Sequence, residues 1–469
     1  MERETKLVKN TAILAIGSFF PKVTALITLP ILTAMLSKSE YGTYDLVGVL
    51  VSLLLPVATL QIQSAAFRFL IESKDLQKHC NEIVTNIFIV TIPISIVMVG
   101  IVFFVFSKLT LSSRIFICLY FLFDIIELTL LQIARGFSEN KAYSIASIML
   151  SSVNMILTVV LVLWLKNGLA GVMCSLAMAS IVATVYLIVV LKKHVKVSLQ
   201  YFSVPLIKEM LAYSWPMVFN NLSRWALSTS DRLVITAFMG VEANAIYAVA
   251  TKLPNLLSTL QSTFSMAWQE NASIAAKDED SSQYYSNMFD TFFCFLSGML
   301  AILIAGTPIL FTILIRGDYD EAYVQMPILY MGMLFDGMAA FLGGIYVARK
   351  KTKSIGITTV IAAGINLAID FAFVNSIGIF AGSISTLVSY LFLMIYRMVD
   401  IRKIQKIDYK IGKIFVILAV MTLMSFLCWL QNPIANILNA TIGMLVLVVP
   451  NKIMIVSMWN AILKKAKIK

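Results

Sequence analysis

The sequence predicts an all-α polytopic membrane protein of about fourteen transmembrane helices. Three observations carry that expectation. The 469 residues are 59% hydrophobic and 13% charged, where a soluble domain carries roughly 25% charged residues. The mean hydropathy is +0.87. The apolar residues also gather into stretches near the ~20 that cross a bilayer, and no polar stretch between them has room for a soluble domain. Each stretch is read as a helix, because an open backbone in lipid leaves its polar groups unpaired at high cost.

In chain order the spans fall near residues 11–34, 44–67, 83–106, 115–134, 143–165, 169–191, 209–238, 244–268, 287–315, 324–348, 354–374, 377–397, 414–430 and 434–457. The charged start, Met1 to Asn10, runs into a first span longer than a signal-peptide core with no small-residue cleavage site, so it reads as a retained helix. Cations then mark alternate loops. Arg3, Lys6 and Lys9 precede span one; Lys74 and Lys78 follow span two; Arg135 and Lys141 follow span four; Lys192, Lys193, Lys196 and Lys208 follow span six. Lys277 follows span eight, Arg349, Lys350, Lys351 and Lys353 follow span ten, and Arg397, Arg402, Lys403, Lys406, Lys410 and Lys413 follow span twelve. The tail Met458–Lys469 closes the series with Lys464, Lys465, Lys467 and Lys469, suited to an anionic inner leaflet. The other loops hold only Lys38, Lys108, Arg114, Lys166 and Arg316. The positive-inside rule therefore places both termini in the cytoplasm and favours an even span count. The same asymmetry accounts for the net charge of +12, which needs no nucleic-acid partner.

The chain also resembles itself at a shift of about 200 residues: Leu60-Gln61 returns as Leu260-Gln261, Ala66-Phe67 as Ala267-Trp268, Tyr44 as Tyr247, and Lys22 as Arg224. Six spans separate the copies, so both have the same orientation, and parallel repeats imply a pseudo-two-fold axis along the membrane normal. The expected organisation is a six-helix bundle over 1–195, a second over 196–400, and two additional helices with a basic tail over 401–469.

Several segments carry a family resemblance. The first half holds Leu29-Pro30-Ile31-Leu32-Thr33, Leu36-Ser37, Glu40-Tyr41-Gly42-Thr43-Tyr44-Asp45-Leu46 and Arg68-Phe69. The second holds Tyr213-Ser214-Trp215-Pro216, Asp231-Arg232, Gly240, Ile246-Tyr247 and Ala267-Trp268. These resemble the Wzx-type polysaccharide flippases of the multidrug/oligosaccharidyl-lipid/polysaccharide exporter superfamily, over essentially the whole chain. The resemblance implies two six-helix bundles plus two helices in a bacterial cytoplasmic (inner) membrane. It implies a substrate of undecaprenyl-pyrophosphate-linked oligosaccharide, destined for O-antigen, capsule or exopolysaccharide. Membrane lipids, a polysaccharide polymerase and chain-length machinery are the implied partners.

Six cations fall inside spans or at their edges: Lys22, Arg68, Arg224, Arg232, Lys252 and Lys452. A cation at the bilayer centre costs at least ~2.5 kcal/mol, so it should face a cavity or a partner. Lys22 and Arg224 lie mid-way along the first helix of each repeat, where two like charges make sense as receivers of an anion such as pyrophosphate. Pairing with a buried carboxylate is the structural alternative. Arg224, Ser228, Asp231 and Arg232 share one helix face, with Arg232 ~12 Å outward of Arg224. Lys252 reaches a similar depth, so Asp231 is expected to pair with Lys252 or Arg232. Arg68 and Lys452 sit near helix ends where snorkelling suffices, although Arg68 would also guard an inner mouth. Substrate-binding candidates are therefore Lys22, Arg224, Arg68, Arg232 and Lys252.

The buried acids are Asp124 and Glu127 in span four, Asp336 in span ten and Asp370 in span eleven. Asp124 and Glu127 share a face at i and i+3, an arrangement suited either to a proton relay or to an ion pair with a neighbouring helix. Asp124, Glu127, Asp231 and Asp370 are the ion-coupling candidates. Asn154, Asn220, Asn221 and Asn366 read as helix-helix hydrogen-bonding groups. The five cysteines are scattered without metal or disulfide spacing, and His79 and His194 fall in polar loops, so no metal site, cofactor or catalytic set is expected. The outer loops are too short for a glycolipid polymerase or ligase, and no P-loop is present. A lipid-linked oligosaccharide flippase leads, with a cation-coupled multidrug exporter of the same superfamily as the alternative.

Overall fold

The computed structural model describes residues 2–73, 76–276, 278–452 and 456. Lys74, Lys277 and the tail Met458–Lys469 lie outside the described residues, as do the side chains of Arg3, Lys6 and Lys9. Apolar composition and the lack of competing hydrogen-bond partners in lipid give helices almost throughout. In order these are α1 (Glu2–Met35), α2 (Lys38–Thr59), α3 (Ile62–Glu72), α4 (Gln77–Val105), α5 (Leu111–Gly136), α6 (Asn140–Thr158, continued by a π turn over Val159–Trp164) and α7 (Gly168–Leu191). They are followed by α8 (Val204–Met239), α9 (Val241–Ala250), α10 (Leu256–Ala275), α11 (Ser281–Leu314), α12 (Asp320–Ala348), α13 (Thr352–Ile377), α14 (Phe380–Arg402), α15 (Ile411–Trp429) and α16 (Pro433–Val448).

Every expected span has its helix, and the protein is an all-α polytopic membrane protein. Among the described residues, eleven helices are long and apolar enough to cross a membrane. The spans near 209–238, 244–268 and 434–457 fall outside that count. The 36-residue α8 carries Arg224, Asp231 and Arg232, the next span is divided into α9 and α10, and α16 runs for 16 residues.

Two spans are broken. Between α2 and α3, Leu60 and Gln61 adopt φ values of 47° and 55°, a left-handed region that non-glycine residues seldom enter. The interruption is held by side chains: Ser214 Oγ donates to the Leu60 carbonyl at 3.0 Å, and the Gln61 N–H donates to Thr59 Oγ1 at 3.2 Å. No glycine or proline marks the site, which is why the sequence reads as one continuous span. The second break, Thr251–Asn255, separates α9 from α10.

The chain divides between Trp225 and Ala226, inside α8, into two compact units. In the first unit α5 packs along α7, and α6 lies between α7 and α1. A Cβ on Gly17 of α1 would stand 2.7 Å from Ser144 Oγ of α6, so these two helices approach as only glycine permits. A second close approach explains the Glu-Tyr-Gly block. Ser37 and Glu40 form a capping box on α2, and Glu40 Oε1 also accepts from the Leu169 N–H at the start of α7, 3.1 Å away. Gly168 sits at φ 52°, and a Cβ there would meet that same carboxylate at 2.2 Å.

The segment after α7 is laced to α4. Asn81 Oδ1 accepts from the Lys196 N–H at 2.8 Å, and Asn86 Oδ1 from the Ser203 N–H at 2.9 Å. Asn86 Nδ2 donates to the Tyr201 carbonyl at 2.9 Å, and Gln77 Nε2 to the His194 carbonyl at 2.6 Å. Beside it Glu139 meets Lys193 and His194, each at 2.8 Å. These partners, Lys193 first and then His194, hold the Glu139 carboxyl below the usual carboxylate range. A depressed folded-state value adds stability that is complete above the unfolded value, ~4.3, and is lost as pH falls through the folded one. The expected result is a lower melting temperature at pH 3 than at pH 6, with a smaller difference in Glu139→Gln. Equal differences in the two proteins would contradict this role.

In the second unit α12 is the central helix, packed by α9, α10, α11 and α14. Its glycines admit large neighbours: a Cβ on Gly344 would stand 2.5 Å from the Trp268 ring, and one on Gly337 2.4 Å from Gln261 Nε2. Trp268 is buried, donates to the Phe341 carbonyl at 2.8 Å and stacks on the Phe341 ring. Arg397, expected in a cytoplasmic loop, is only 4% exposed. Its guanidinium donates to the Ala339 carbonyl at 2.7 Å and to Thr358 and Thr359 Oγ1 at 3.2 and 3.1 Å, tying α14 to α12 and α13. Burial of a charge on this scale is tolerated because its donors are satisfied. α15 is fastened to α11 by Lys410 and Lys413 on Asp290, at 3.0 and 2.9 Å. α16 lies against the same helix, and just beyond it Asn451 donates to the Cys294 carbonyl at 3.0 Å.

Candidate functional site

In the first unit the candidate cations are Lys22 of α1 and Arg224 of α8, and both side chains are exposed. Their neighbourhoods are built differently. Pro21 precedes Lys22 inside α1, and its missing N–H leaves the carbonyl one turn earlier without a helical donor. Arg224 is followed by Trp225, whose Nε1 donates to Ser52 Oγ of α2 at 3.1 Å and so fixes this stretch of α8 on α2. A cation midway along a membrane-spanning helix is costly to present to lipid. Arg68 lies half-exposed near the end of α3, bonded to Glu72 at 3.2 Å and stacked over the Tyr213 ring at 5.0 Å. Its position is thus set by α8 as well as by its own helix. On α5, Glu127 is 2% exposed with Oε1 lacking a hydrogen-bond donor among the described residues, and Asp124 is half-buried beside it. Tyr120 and Tyr44 stand near this pair.

The second unit assembles a buried polar cluster. Asp231 of α8 is 3% exposed and its Oδ2 accepts from Tyr247 Oη of α9 and from Thr386 Oγ1 of α14, each at 2.7 Å. The expected cation pairing is therefore replaced by two hydroxyls; Arg232 Nη2 donates instead to Thr251 Oγ1 at the α9–α10 break, 2.8 Å away. The helix turns Asp231 inward and its neighbour Arg232 about 100° aside, which separates charges that are adjacent in sequence. Asp370 of α13, 1% exposed, lies beside Asp231. One turn before it Asn366 accepts from Ser230 Oγ at 3.2 Å and donates to Ser385 Oγ at 3.1 Å. Both Asp370 oxygens and Asp231 Oδ1 have no hydrogen-bond donor among the described residues.

Three orphaned carboxylate oxygens in a buried site, ringed by an amide and hydroxyls, form an all-oxygen donor set. Two neighbouring buried carboxylates cannot both remain charged without a compensating positive charge. This set fits a shared proton or a hard monovalent cation, and it contains no soft nitrogen or sulfur ligand. No group of three or more His, Cys, Asp or Glu placed to hold a metal ion occurs among the described residues.

The structure thus unites Asp231 with Asp370, and Asp124 with Glu127, within their respective units. Lys252 lies half-buried at the α9–α10 break, near Arg232 in the chain's path through Thr251. Sequence alone does not place Tyr247, Ser385 or Thr386 in a site, while Asn366 makes the helix-helix hydrogen bonds expected of it. A usable signal existed in Asn366 and Asp370 at i and i+4, and in the run Ser383, Ser385, Thr386 and Ser389 inside one span.

A family model described as polysaccharide biosynthesis protein matches residues 7–269. No curated protein sequence matches the chain. Among solved structures, the lipid II flippase MurJ in an inward closed conformation is similar, with a TM-score of 0.72 and 15% identity, covering 95% of this chain and 99% of that one. A multidrug resistance MATE family transporter of the MOP superfamily in an inward-facing conformation gives 0.66 at 13% identity, covering 83% and 98%. A MOP superfamily transporter from Pyrococcus furiosus gives 0.59 at 13% identity, covering 84% and 95%. At such low identity these likenesses show the fold.

Proposed function

The chain belongs to the polysaccharide biosynthesis protein family, and on that premise we propose that it is a flippase for lipid-linked oligosaccharides. The substrate is an undecaprenyl-pyrophosphate-linked sugar unit, carried from the cytoplasmic to the outer leaflet of a bacterial cytoplasmic membrane. Both termini lie in the cytoplasm. The observation that carries this reading is the exposure of Lys22 and Arg224 midway along α1 and α8. Such faces suit an anionic headgroup and disfavour the cationic substrates of a multidrug exporter.

A pyrophosphate headgroup cannot cross hydrocarbon unaided, because desolvating its charge costs many kcal/mol. Lys22 and Arg224 offer it replacement hydrogen bonds, with Arg224 able to chelate two phosphate oxygens at once. Arg232 and Lys252 are further cationic positions within the second unit, and Arg68 receives the headgroup after release from Glu72. The lipid tail trails in the bilayer while the protein alternates its access between the two sides. The Asp231–Asp370 pair binds the coupling cation or proton, with the Asp124–Glu127 pair as a further proton-holding group. The chain itself does no bond chemistry.

Depletion of the protein is the experiment that tests this reading. Cells lacking it are expected to accumulate the complete lipid-linked oligosaccharide on the inner leaflet, inaccessible to a membrane-impermeant lectin. Normal lectin access to that intermediate after depletion would rule the reading out.

A further inference from the structure

The Asp231–Asp370 site lies towards one end of the second unit. With both termini in the cytoplasm, as proposed above, the α8–α9, α11–α12 and α13–α14 turns face outward. Asp231, Tyr247, Asp370 and Thr386 are then six to eight residues, roughly 9–12 Å, from the outer ends of their helices. Between them and that face α12 and α14 bury two more polar side chains, Gln325 and Ser383, both 0% exposed. Ser383 Oγ donates to Gln325 Oε1 at 2.5 Å. Ser383 stands one turn outward of Thr386, whose hydroxyl donates to Asp231. On α12, Glu321 lies one turn outward of Gln325, on the same face and exposed. Helix-to-helix bonding accounts for only half of the Gln325 amide. Its Nε2 has no acceptor among the described residues, and a buried donor left unpaired is costly. Water meets that need, and so does turning the amide over. Nε2 then donates to Ser383 Oγ, and Oε1 takes the unpaired position as a ligand for a hard cation.

We propose that Gln325 and Ser383 form the outer passage through which the coupling cation or proton reaches Asp231 and Asp370. This rests on the coupling reading above and adds the side from which the ion enters and the groups that it passes. An ion cannot cross apolar packing without replacements for its hydration, and polar side chains inside a membrane protein line such routes. Here Glu321, Gln325, Ser383 and Thr386 succeed one another from the outer end to Asp231. A metal cation meets an amide oxygen and two hydroxyls on the way, and a proton meets groups that both donate and accept. The inner direction is built the other way. Arg397 lies eleven residues inward of Thr386 on the same face of α14, ~16 Å along the helix. Its guanidinium is buried and held by the Ala339 carbonyl and by Thr358 and Thr359. That fixed positive charge opposes a cation moving inward along this face, whereas Glu321 attracts one at the outer end.

The test follows export of an undecaprenyl-pyrophosphate-linked oligosaccharide by the purified protein in liposomes while the outer sodium concentration or pH is varied. Gln325→Leu removes the amide at similar volume. It is expected to slow export roughly tenfold or more at low outer ion concentration, with recovery as that concentration rises. Ser383→Ala should show the same pattern to a smaller extent, and it decides the question if Gln325→Leu does not fold. Gln325→Glu keeps an oxygen ligand and should retain most of the rate. The rise in melting temperature with sodium or acid, read at equilibrium in detergent, should be unchanged in all three variants because Asp231 and Asp370 are intact. The passage is refuted, while the coupling reading stands, if Gln325→Leu and Ser383→Ala export normally or are slowed equally at every outer ion concentration. Loss of the equilibrium melting response together with the rate would refute it as well. If export and melting temperature of the unmodified protein ignore both ions, the coupling reading fails and the passage with it.

Discussion

The double variant Lys22→Ala, Arg224→Ala is expected to abolish export while the protein remains in the membrane at its normal level. On the proposed reading, each cation removes part of the desolvation cost of a pyrophosphate. Losing a charge-assisted contact of this kind costs on the order of 2–5 kcal/mol, or roughly thirtyfold to several-thousandfold in rate if the contact is made during crossing. Both side chains are exposed, so their removal leaves no buried cavity. Lys22→Arg keeps the charge and should lose far less than Lys22→Ala. Arg224→Lys keeps the charge but not the bidentate fork, and should fall between the two. Export rate is measured by the appearance of the glycan on the outer face, normalised to the amount of protein. Full export by the double alanine variant would remove these residues from the substrate path.

The second large effect is expected at the buried acids of the second unit. Asp231 and Asp370 bring carboxylate oxygens that lack donors into one site with Asn366, Ser385 and Thr386. A cation or proton bound there stabilises the folded protein by mass action, so the melting temperature should rise with its concentration. In the double variant Asp231→Asn, Asp370→Asn that rise should vanish, and export should lose its dependence on the ion gradient and fall on the order of a hundredfold. The basal melting temperature should hold or increase, since two neighbouring buried carboxylates are replaced by neutral groups of the same shape. A purely structural role predicts the opposite pair of outcomes: a lower melting temperature and an unchanged response to the ion. Titrations with sodium chloride, choline chloride and acid distinguish a metal cation from a proton.

What was legible in the sequence divides along a physical line. The lipid solvent imposes a one-dimensional rule, about twenty apolar residues per crossing, so the spans could be read from composition alone. The helix breaks could not. Leu60 and Gln61 carry no glycine or proline, and their left-handed backbone is held by Ser214, a residue far along the chain. Arg397 looked like one more loop cation, because sequence does not reveal that α12 and α13 close over it with a carbonyl and two hydroxyls. Asp231 is expected from the sequence to pair with Lys252 or Arg232, and it bonds instead to Tyr247 and Thr386. Adjacent residues on a helix point in different directions, and which neighbour each one meets depends on α9 and α14. The Glu-Tyr-Gly block carried the family resemblance, and the structure gives its glutamate a mechanical job, holding the starts of α2 and α7 together.

The central claim, that this chain alone moves a pyrophosphate-linked glycan across a bilayer, is tested most directly with the purified protein in liposomes. Undecaprenyl pyrophosphate bearing a fluorescent oligosaccharide is placed in the membrane, and an impermeant quencher reports the fraction facing outward over time. With the protein present, and an ion gradient imposed, the protected pool is expected to become accessible at a rate that scales with protein per vesicle. The Lys22→Ala, Arg224→Ala variant should behave like empty liposomes. Exchange no faster than in empty liposomes under every ion gradient, from protein that is folded and correctly inserted, would contradict the account.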